Sequence, residues 1–458
     1  MTQVPGKPDN AGIHQDDVVV IGGGLAGLSA AALIARAGRS VVLLEQAHHL
    51  GGRAATNVFD GVRFNLGAHA LYAQGHARRL LKELSVPLSG RFPSPGRPLV
   101  TLGGSTYRIP AGLASLLTSR LLNVTEKLRL ARLFATIRTL NTRQFDRLSA
   151  QEWIQRTAGR GNLAALLGAL FRVSTYVADH ESLSAGVAID QLRSALVGNV
   201  LYVDDGWQSL VEGLRAVAVA HGATIRAGSR VTTVACDRRG VSLRLTAGDA
   251  LHARAAVLAV APDDVCEMLG LPADAPLVRW TAARKPVLAA CLDVALASLP
   301  RGGDRFALGL DRPLYFSVHS SAARLGPEGV AVLHLMKYLR CDDRQPAAQT
   351  EAELTALLDQ LQPGWQSRLV ARRFLPKMVV AHALPRADEG GLAGRPEVSV
   401  AERSNVFIAG DWVGPAGMLA DAAAASAEEA ARRVLATVAP RAATPAGDDR
   451  ESVLHVSH

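Results

Sequence analysis

The clearest hydrophobic pattern lies near the start of the chain, where residues 18–33 are VVVIGGGLAGLSAAAL. Residues 18–21 are β-branched and apolar, which predicts a buried parallel strand. Residues 28–37 are rich in alanine and leucine, which predicts a helix. A membrane-spanning helix needs about 20 apolar residues without a break, and four glycines interrupt this stretch. The pattern therefore predicts a strand, a glycine-rich turn and a helix.

Three of the glycines have the G-x-G-x-x-G spacing of a dinucleotide-binding turn. Gly22 would allow the tight turn, Gly24 would let the backbone approach a pyrophosphate, and Gly27 would let the helix pack closely on the strand. Leu25 and Ala26, between Gly24 and Gly27, are expected to contact the cofactor just before the helix N-terminus, whose free N–H groups favour phosphate.

A second apolar strand is predicted over residues 40–44, and it ends at Glu45. An acid at this point can accept hydrogen bonds from both ribose hydroxyls and would repel a 2′-phosphate, which disfavours NADP. The complete unit predicts a dinucleotide site. The alternative is an ordinary βαβ unit that needs small residues only for packing.

Composition and charge narrow the class of protein. A chain of 458 residues is expected to form more than one domain. Lys plus Arg exceed Asp plus Glu by 50 to 41, which gives a formal charge of +9. This excess favours an acidic partner, such as a phosphorylated cofactor or an anionic lipid surface. No long basic run is present, so nucleic acid is not predicted as a partner.

Residues 113–140 alternate leucine with Arg and Lys at helical spacing. They predict either a pair of helices packed on a domain or a basic amphipathic surface in peripheral contact with an anionic membrane. The four cysteines form no C-x-x-C pair, so no metal site and no dithiol redox centre is predicted.

Both ends of the chain are polar. Residues 1–15 contain two prolines and no apolar leader, and residues 438–458 have a similar character, so we expect a disordered arm and a disordered tail. Reduced thiols without a leader favour a cytoplasmic location. Contact with the inner face of the membrane would follow if the amphipathic surface is used.

Two more glycine-bearing stretches complete an ordered set. Six residues after Glu45 come Gly51, Gly52 and Arg53, and near the end residues 405–411 form an apolar strand that finishes with Gly-Asp. In this order the three stretches resemble the signatures of the FAD-binding family that holds amine oxidases, protoporphyrinogen oxidases and phytoene-type desaturases. The resemblance spans about residues 17–436 and is strongest at the cofactor motifs.

This resemblance implies FAD as the cofactor. Gly51 and Gly52 would permit a second close backbone approach, and Arg53 would reach the diphosphate as a charge-assisted donor. Gly410 and Asp411 would bind the ribityl or pyrophosphate segment. The resemblance also implies two further contacts: the backbone of Val231 with the adenine, and the start of a C-terminal helix at Leu419 and Ala420 with the N1/O2 edge of the flavin.

The scattered signatures predict an α/β fold with a Rossmann-type FAD-binding domain and a discontinuous α+β substrate domain. The FAD-binding domain would combine residues 16–75, 205–275 and 400–437. Residues 76–204, with helical patterns, would form the helical part of the substrate domain. Residues 276–399, with strand patterns, would form its mixed sheet.

Three residues are candidates for chemistry at the flavin. His69 follows the Gly-Gly-Arg stretch where the family runs beside the ring, and His382 lies just under thirty residues before Asp411. Histidine titrates near neutrality, so either could move a proton, and each could equally be structural. Tyr315 on the predicted substrate sheet could face the pocket or the exterior, because strand faces alternate.

Two departures from the amine oxidases shape the predicted function. Small residues near Ala289 replace the flavin-side lysine of those enzymes, and their paired aromatic cage is not obvious with six tyrosines in the chain. We therefore predict an FAD-dependent dehydrogenase or desaturase that takes hydride from an apolar, isoprenoid-type substrate to flavin N5. Oxygen or a quinone would reoxidise the flavin. The alternatives are an amine or protoporphyrinogen oxidase and a flavin-holding protein without turnover. The oligomeric state is left open.

Overall fold

The computed structural model describes residues 16–94, 96–110, 112–401 and 403–438. The predicted arm over residues 1–15 and all but the first residue of the predicted tail lie outside these ranges. Within them, the strands are β1 (Asp16–Ile21), β2 (Val41–Leu44), β3 (Thr56–Phe59), β4 (Val62–Asn65), β5 (Leu71–Tyr72), β6 (Gly90–Arg91), β7 (Leu99–Leu102), β8 (Ser105–Arg108), β9 (Val200–Val203), β10 (Thr224–Arg226), β11 (Val231–Asp237), β12 (Gly240–Leu245), β13 (Ala250–Leu258), β14 (Val287–Leu296), β15 (Phe306–Gly309), β16 (Leu314–Val318), β17 (Ala331–Leu339), β18 (Leu369–Ala381) and β19 (Val406–Ile408).

The helices of the described residues carry apolar side chains at helical spacing: α1 (Leu25–Arg36), α2 (His76–Glu83), α3 (Leu113–Thr118), α4 (Val124–Thr136), α5 (Ala150–Ala158), α6 (Asn162–Thr175), α7 (Ala185–Gly198), α8 (Gln208–Ala220), α9 (Pro262–Met268), α10 (Pro276–Ala283), α11 (Ala347–Leu361) and α12 (Leu419–Thr437). None of the helices in the described ranges is long and apolar enough to cross a bilayer.

The first sheet is built around β1. Its strand order is β10-β2-β1-β13-β12-β11, and β19 pairs with β13. β1 runs parallel to β2 and β13, and β13 runs parallel to β19. β1 and β2 are buried because α1, α8 and α12 share one hydrophobic core with the sheet. The predicted parallel strand is confirmed, and α1 begins at Leu25 rather than at residue 28.

Parallel strands that are each followed by a helix have their carboxyl ends at the same edge of the sheet. Open α/β sheets bind ligands at this edge. Here β1 leads into α1 and β19 leads towards α12. All strands of this sheet come from the three segments predicted for the FAD-binding domain. The domain boundaries themselves stay a prediction.

The second sheet has the order β18-β14-β17-β16-β15-β7-β8. Five of its strands come from residues 276–399, as the strand patterns predict. β7 and β8 come from within residues 76–204, which were expected to be helical. They form a short hairpin whose turn, Gly103-Gly104, has φ of +55° and +78°, and β7 runs parallel to β15. A hairpin of two four-residue strands gives too short a pattern to stand out beside long helical segments.

The helical part consists of α3 to α7. Asn123 and Ser149 cap α4 and α5, and each forms a reciprocal capping box with a glutamate three residues later. The helix pair predicted over residues 113–140 is present as α3 and α4, which share a core cluster with α5, α6 and α7 and with one face of the second sheet.

Candidate functional site

The loop after β1 owes its shape to two of the predicted glycines. Gly22 has φ of +106°, and a Cβ there would lie 2.5 Å from the carbonyl oxygen of Ala259. A Cβ on Gly27 would lie 1.9 Å from the carbonyl oxygen of Gly22, so only glycine lets α1 approach the loop this closely. Gly24 stands immediately before α1, where its nearest neighbour would be the Gly51 oxygen at 3.8 Å. Gly24 therefore leaves open space beside the N-terminus of α1.

Glu45 stands at the end of β2 and holds two loops together. One carboxylate oxygen accepts a hydrogen bond from the backbone N–H of Gly23 at 2.6 Å, and the other accepts one from Ala47 at 2.8 Å. A cavity of about 100 Å³ opens beside Glu45, with Val231 and Arg230 in its wall. Glu45 and Val231 thus lie together, as expected of residues that hold the adenosine end of a dinucleotide.

The Gly-Gly-Arg stretch packs against the first glycine loop. The N–H of Gly51 donates to the carbonyl of Gly23 at 2.9 Å, and Gly51 has φ of +120°. A Cβ on Gly52 would meet only Gly24 Cα, at 3.7 Å. The two loops therefore face each other with little but backbone between them.

Arg53 joins this stretch to the C-terminal signature. Its guanidinium forms two hydrogen bonds with the carboxylate of Asp411, at 2.6 Å and 3.0 Å, and a third with the carbonyl of Val380 at 2.9 Å. Asp411 also accepts a bond from the backbone N–H of His382 at 3.2 Å and contacts Nδ1 of the same histidine at 3.0 Å. Burial would raise the pKa of Asp411, but Arg53 and His382 outweigh it and hold that pKa well below its ordinary value.

These pieces line one large cavity of about 600 Å³. It runs past the N-termini of α1 and α12 and shares Gly22 and Glu45 with the smaller cavity. Its wall contains all but two of the residues predicted to bind cofactor: Gly22, Gly24, Leu25, Ala26, Glu45, Gly51, Gly52, Arg53, Gly410, Asp411, Leu419 and Ala420. Gly27 lies behind the wall and Val231 lines the smaller cavity.

The cavity suits FAD on structural grounds. Two helix N-termini reach it, and such ends attract phosphate and other anionic groups. Gly24 and Gly52 leave space that any larger residue would fill. Arg53 supplies a cation, and Glu45 and Asp411 supply hydrogen-bond acceptors at separate points along the length of the cavity. The residues present therefore fit an extended dinucleotide.

His69 also lies on the cavity wall, but both of its ring nitrogens face backbone carbonyls. Nδ1 is 3.0 Å from the oxygen of Gly67, and Nε2 is 3.1 Å from the oxygen of Arg53. The ring meets Trp207 edge-on, with 4.8 Å between centroids. Burial lowers the pKa of His69, against the opposing effect of those carbonyls. His69 therefore ties the Gly-Gly-Arg stretch to the segment that follows it.

The structure separates Tyr315 from the cavity. Its ring is buried in the core of the second sheet, and its hydroxyl is 3.4 Å from Nε2 of His319. Tyr72 and Tyr176 line the cavity in its place. Their hydroxyls donate to the carbonyls of Ser174 and Ala68, both at 2.9 Å, so the rings face the cavity with no free hydroxyl. An aromatic pair, which is not obvious in the sequence, is thus present on the cavity wall.

No signal in the sequence singles out this pair. Tyr72 lies in a two-residue strand, and Tyr176 ends α6 in a left-handed conformation with φ of +62°. Asp421, on the first turn of α12, is a third cavity residue that sequence reasoning missed. It accepts a hydrogen bond from the N–H of Ala77 at 2.9 Å and so caps α2, and burial raises its pKa.

A second polar cluster lies behind the cavity wall and is fully enclosed. Asp293 contacts Nδ1 of His334 at 2.6 Å and accepts a bond from the thiol of Cys291 at 3.0 Å. Arg373 pairs with the second oxygen of Asp293 through Nε at 2.9 Å and also donates to the carbonyl of Asn65. Cys291, Asp293 and His334 are close enough together to surround a metal ion. Arg373, which pairs with Asp293 and bonds to Asn65, instead makes this cluster a support for the end of β4.

Taken together, the parallel sheet, the three glycine-bearing loops and the long cavity define a Rossmann-type flavoprotein with a second, substrate-binding domain. The sequence profile of the family described as "Flavin containing amine oxidoreductase" matches residues 25–435. The chain belongs to this family of FAD-dependent oxidoreductases, as the resemblance of its motifs predicts.

Solved structures share the fold over nearly the whole chain. An oxidoreductase from Methanosarcina mazei has a TM-score of 0.74 at 17% identity and covers 90% of this chain and 99% of its own. A putrescine oxidase bound to putrescine has a TM-score of 0.73 at 17% identity, with coverage of 92% and 99%. A putative protoporphyrinogen oxidase from Exiguobacterium has a TM-score of 0.67 at 17% identity, with the same coverage. At this identity they establish the fold alone.

Curated relatives match over a short stretch. A carotenoid 3,4-desaturase of Haloarcula japonica is 54% identical over 52 residues, which is 11% of this chain and 10% of that protein. A chain of limonene dehydrogenase from Castellaniella defragrans is 50% identical over 60 residues, or 13% and 11%. A 4,4′-diaponeurosporene oxygenase of Staphylococcus aureus is 48% identical over 54 residues, or 12% and 11%. The matches span about a tenth of the length of these relatives.

Proposed function

We propose that this chain is a dehydrogenase or desaturase that acts on an apolar, isoprenoid-type substrate. The observation that carries the proposal is the wall of the large cavity outside the cofactor loops. Leu66, Tyr72, Tyr176, Leu375 and Met378 line it, and the tyrosine hydroxyls are already bound to backbone carbonyls. Such side chains bind hydrocarbon by burial. The curated relatives named for a carotenoid, limonene and diaponeurosporene support the same class.

The chain's own residues divide the work of holding cofactor and substrate. Glu45, Arg53 and Asp411 would fix FAD along its length, and FAD would supply the hydride acceptor, with oxygen or a quinone as the final electron acceptor. The apolar wall would orient the C–H bond that is broken and exclude water from it. Loss of a hydride from one carbon and a proton from its neighbour leaves a new double bond.

His382 is the proposed acceptor of that proton. It lines the cavity, and Asp411 holds its Nδ1 while its Nε2 has no hydrogen-bond partner among the described residues. His69 is proposed as a positioning residue, because both of its ring nitrogens are taken up by carbonyls. Tyr315 is not proposed for a role in catalysis, because it lies outside the cavity wall.

Amine oxidation is the second candidate, and one observation favours it. Tyr72 and Tyr176 place two aromatic rings on the cavity wall, which an amine oxidase could use to orient a substrate nitrogen. That function predicts hydrogen peroxide release with soluble amines. A flavin-holding protein without turnover is the third candidate, and it predicts that bound flavin is never reduced by any substrate.

One series of experiments separates the three. Acid precipitation of the purified protein should release FAD into the supernatant, whereas pigment retained in the pellet would contradict non-covalent binding and point to His382. The FAD-loaded protein is then mixed anaerobically with an acyclic carotenoid precursor, a monoterpene and an amine panel. Bleaching by the apolar compounds alone is expected. Bleaching by amines alone would establish the second candidate, and no bleaching the third.

A matched pair of variants tests the apolar wall. Tyr176→Phe keeps the ring and loses its hydroxyl, so it should bleach like the parent protein. Tyr176→Ala removes the ring and should raise KM for the apolar substrate about tenfold or more while FAD stays bound, since a large aromatic side chain buries roughly 150–250 Å². An unchanged KM in Tyr176→Ala would show that the substrate lies elsewhere.

We also propose that the chain makes peripheral contact with an anionic membrane, because an apolar substrate of this class partitions into lipid. The basic, leucine-rich helix pair supports this proposal.

A further inference from the structure

The positive charge of the chain is concentrated in one segment. Residues 84–145 contain nine Arg and Lys residues and one acid, Glu126, so they carry a net charge of +8 out of +9 for the chain. Glu126 is buried, and its carboxylate accepts hydrogen bonds from the backbone N–H groups of Asn123 and Leu163. It is therefore not available to neutralise the cations around it.

The cations of this segment that lie on α3, α4 and the residues next to them are Arg120, Lys127, Arg129, Arg132 and Arg138. Arg120, Arg132 and Arg138 are exposed. Among the described residues, none of the five lies in an ion pair. Lys127 and Arg129 donate only to backbone carbonyls. A surface with this many unneutralised cations attracts an anionic partner.

Large apolar side chains stand among these cations. Leu117 and Val124 are each 74% exposed, Leu128 is 67% exposed and Phe134 is 39% exposed. Val124 and Leu128 are one helical turn apart and so share a face of α4. The opposite face, with Leu130 and Leu133, is buried in the helical core. We call the surface formed by Leu117, Arg120, Val124, Leu128, Arg132 and Arg138 the outer face.

We propose that the outer face docks this chain on an anionic lipid bilayer, with the apolar side chains in the acyl region and the arginines at the headgroups. Helices that lie in the plane of a membrane have this composition. Basic residues next to an anionic leaflet are attracted to its headgroups, and each one strengthens membrane binding by roughly fivefold. A nucleic acid would match the arginines but would leave the leucines and valine against phosphate. An acidic protein would need hydrogen-bond acceptors where the apolar side chains lie.

The position of the outer face suits the function proposed above, on which the biological reason for docking rests. The buried side of α4 belongs to the core cluster that contains Ala68 and packs against Tyr176 and Met378. Those three residues line the large cavity. The part of the protein that docks on the lipid would therefore be the part that contributes the apolar wall of the cavity.

Vesicle flotation with the FAD-loaded full chain tests the proposal without any turnover. Vesicles of phosphatidylglycerol and phosphatidylcholine should carry the protein upwards, and vesicles of phosphatidylcholine alone should carry much less. The triple variant Arg120→Gln/Arg132→Gln/Arg138→Gln should bind roughly a hundredfold more weakly. Leu117→Ser/Val124→Ser/Leu128→Ser should lose binding that persists in high salt, because salt screens charge but not burial.

The matched control is Arg238→Gln/Arg239→Gln/Arg244→Gln, which removes the same charge from exposed positions on the β11–β12 hairpin. It should bind vesicles like the parent protein. An equal loss of binding in the Arg120/Arg132/Arg138 variant and in this control would overturn the proposal, since net charge alone would then explain binding. Absence of flotation, or a parent protein whose outer face instead mediates self-association in light scattering, would also overturn it. Flotation without flavin bleaching would leave docking intact and refute the proposed function.

Discussion

Arg53 and Asp411 are separated by 358 residues in the chain and form a two-point ion pair, with nitrogen–oxygen distances of 2.6 and 3.0 Å. The pair joins the second glycine stretch to the C-terminal signature across the cavity that suits FAD. The two residues were each predicted to bind the cofactor, but nothing in the sequence pairs them. The ion pair therefore links two of the cofactor loops directly to each other, without a contribution from the cofactor.

The first prediction concerns this pair. Asp411→Asn keeps the shape of the side chain and removes its charge, so it should weaken FAD binding at least about tenfold and leave the cation of Arg53 without its partner. Arg53→Met should weaken binding similarly. Titration with FAD, followed by quenching of its fluorescence, measures both. In the double variant the losses should not add, because each single change already breaks the pair. Additive losses would show that the two residues bind FAD independently.

The second prediction distinguishes a glycine that shapes the loop after β1 from a glycine that leaves space for the cofactor. Gly24 has an extended backbone and open space around it, so Gly24→Val should fold normally and bind FAD roughly a hundredfold more weakly. Gly27→Ala would place a Cβ 1.9 Å from a carbonyl oxygen and should lower the stability of the FAD-free protein by several kcal/mol. Thermal unfolding with and without FAD distinguishes the two. A Gly24→Val protein that binds FAD normally would contradict the assignment of this loop.

The third prediction concerns pH. Burial, with Arg172 nearby, lowers the pKa of His180 to about 3, whereas an unfolded histidine titrates near 6.5. Below about pH 6.5 the unfolded chain gains a proton that the folded chain does not, so stability falls as the pH drops towards 3. The contribution between pH 7 and pH 5 should be about 2 kcal/mol.

Urea unfolding at pH 5 and pH 7 checks this value. His180→Gln should reduce the loss of stability on acidification by about that amount. The exposed His221 provides the control, and His221→Gln should leave the loss unchanged. If both variants lose as much stability between pH 7 and pH 5 as the parent protein does, a group other than His180 causes the loss.

The fourth prediction concerns the enclosed cluster behind the cavity. Asp293→Ala should destabilise the protein by about 3–5 kcal/mol, because it leaves Arg373 and His334 without the carboxylate that both contact. Asp293→Ala combined with Arg373→Met should cost less than Asp293→Ala alone. Chemical denaturation of the FAD-free protein measures both. A double variant less stable than either single variant would mean that Arg373 acts chiefly through its bond to Asn65.

Much of the cofactor half of the molecule could be predicted from the sequence. The turn between β1 and α1, the end of β2 at Glu45 and the strand before Gly410 are local features, in which a few adjacent residues determine the backbone. Their glycines and apolar runs carry this information without reference to the rest of the chain. The order of the three signatures was enough to predict the family and FAD.

The tertiary structure decided what faces the cavity. Tyr72 and Tyr176 come from different elements, and Tyr315, which has the same chemistry and lies on the predicted substrate sheet, is turned into the core. The hairpin of β7 and β8 joins a sheet whose other strands follow nearly two hundred residues later. Period and spacing report which residues share a face of one strand or helix, but the packing of distant elements determines what that face meets. The cofactor loops could therefore be predicted from the sequence. The substrate wall, the Arg53–Asp411 pair and the outer face could be identified only from the tertiary structure.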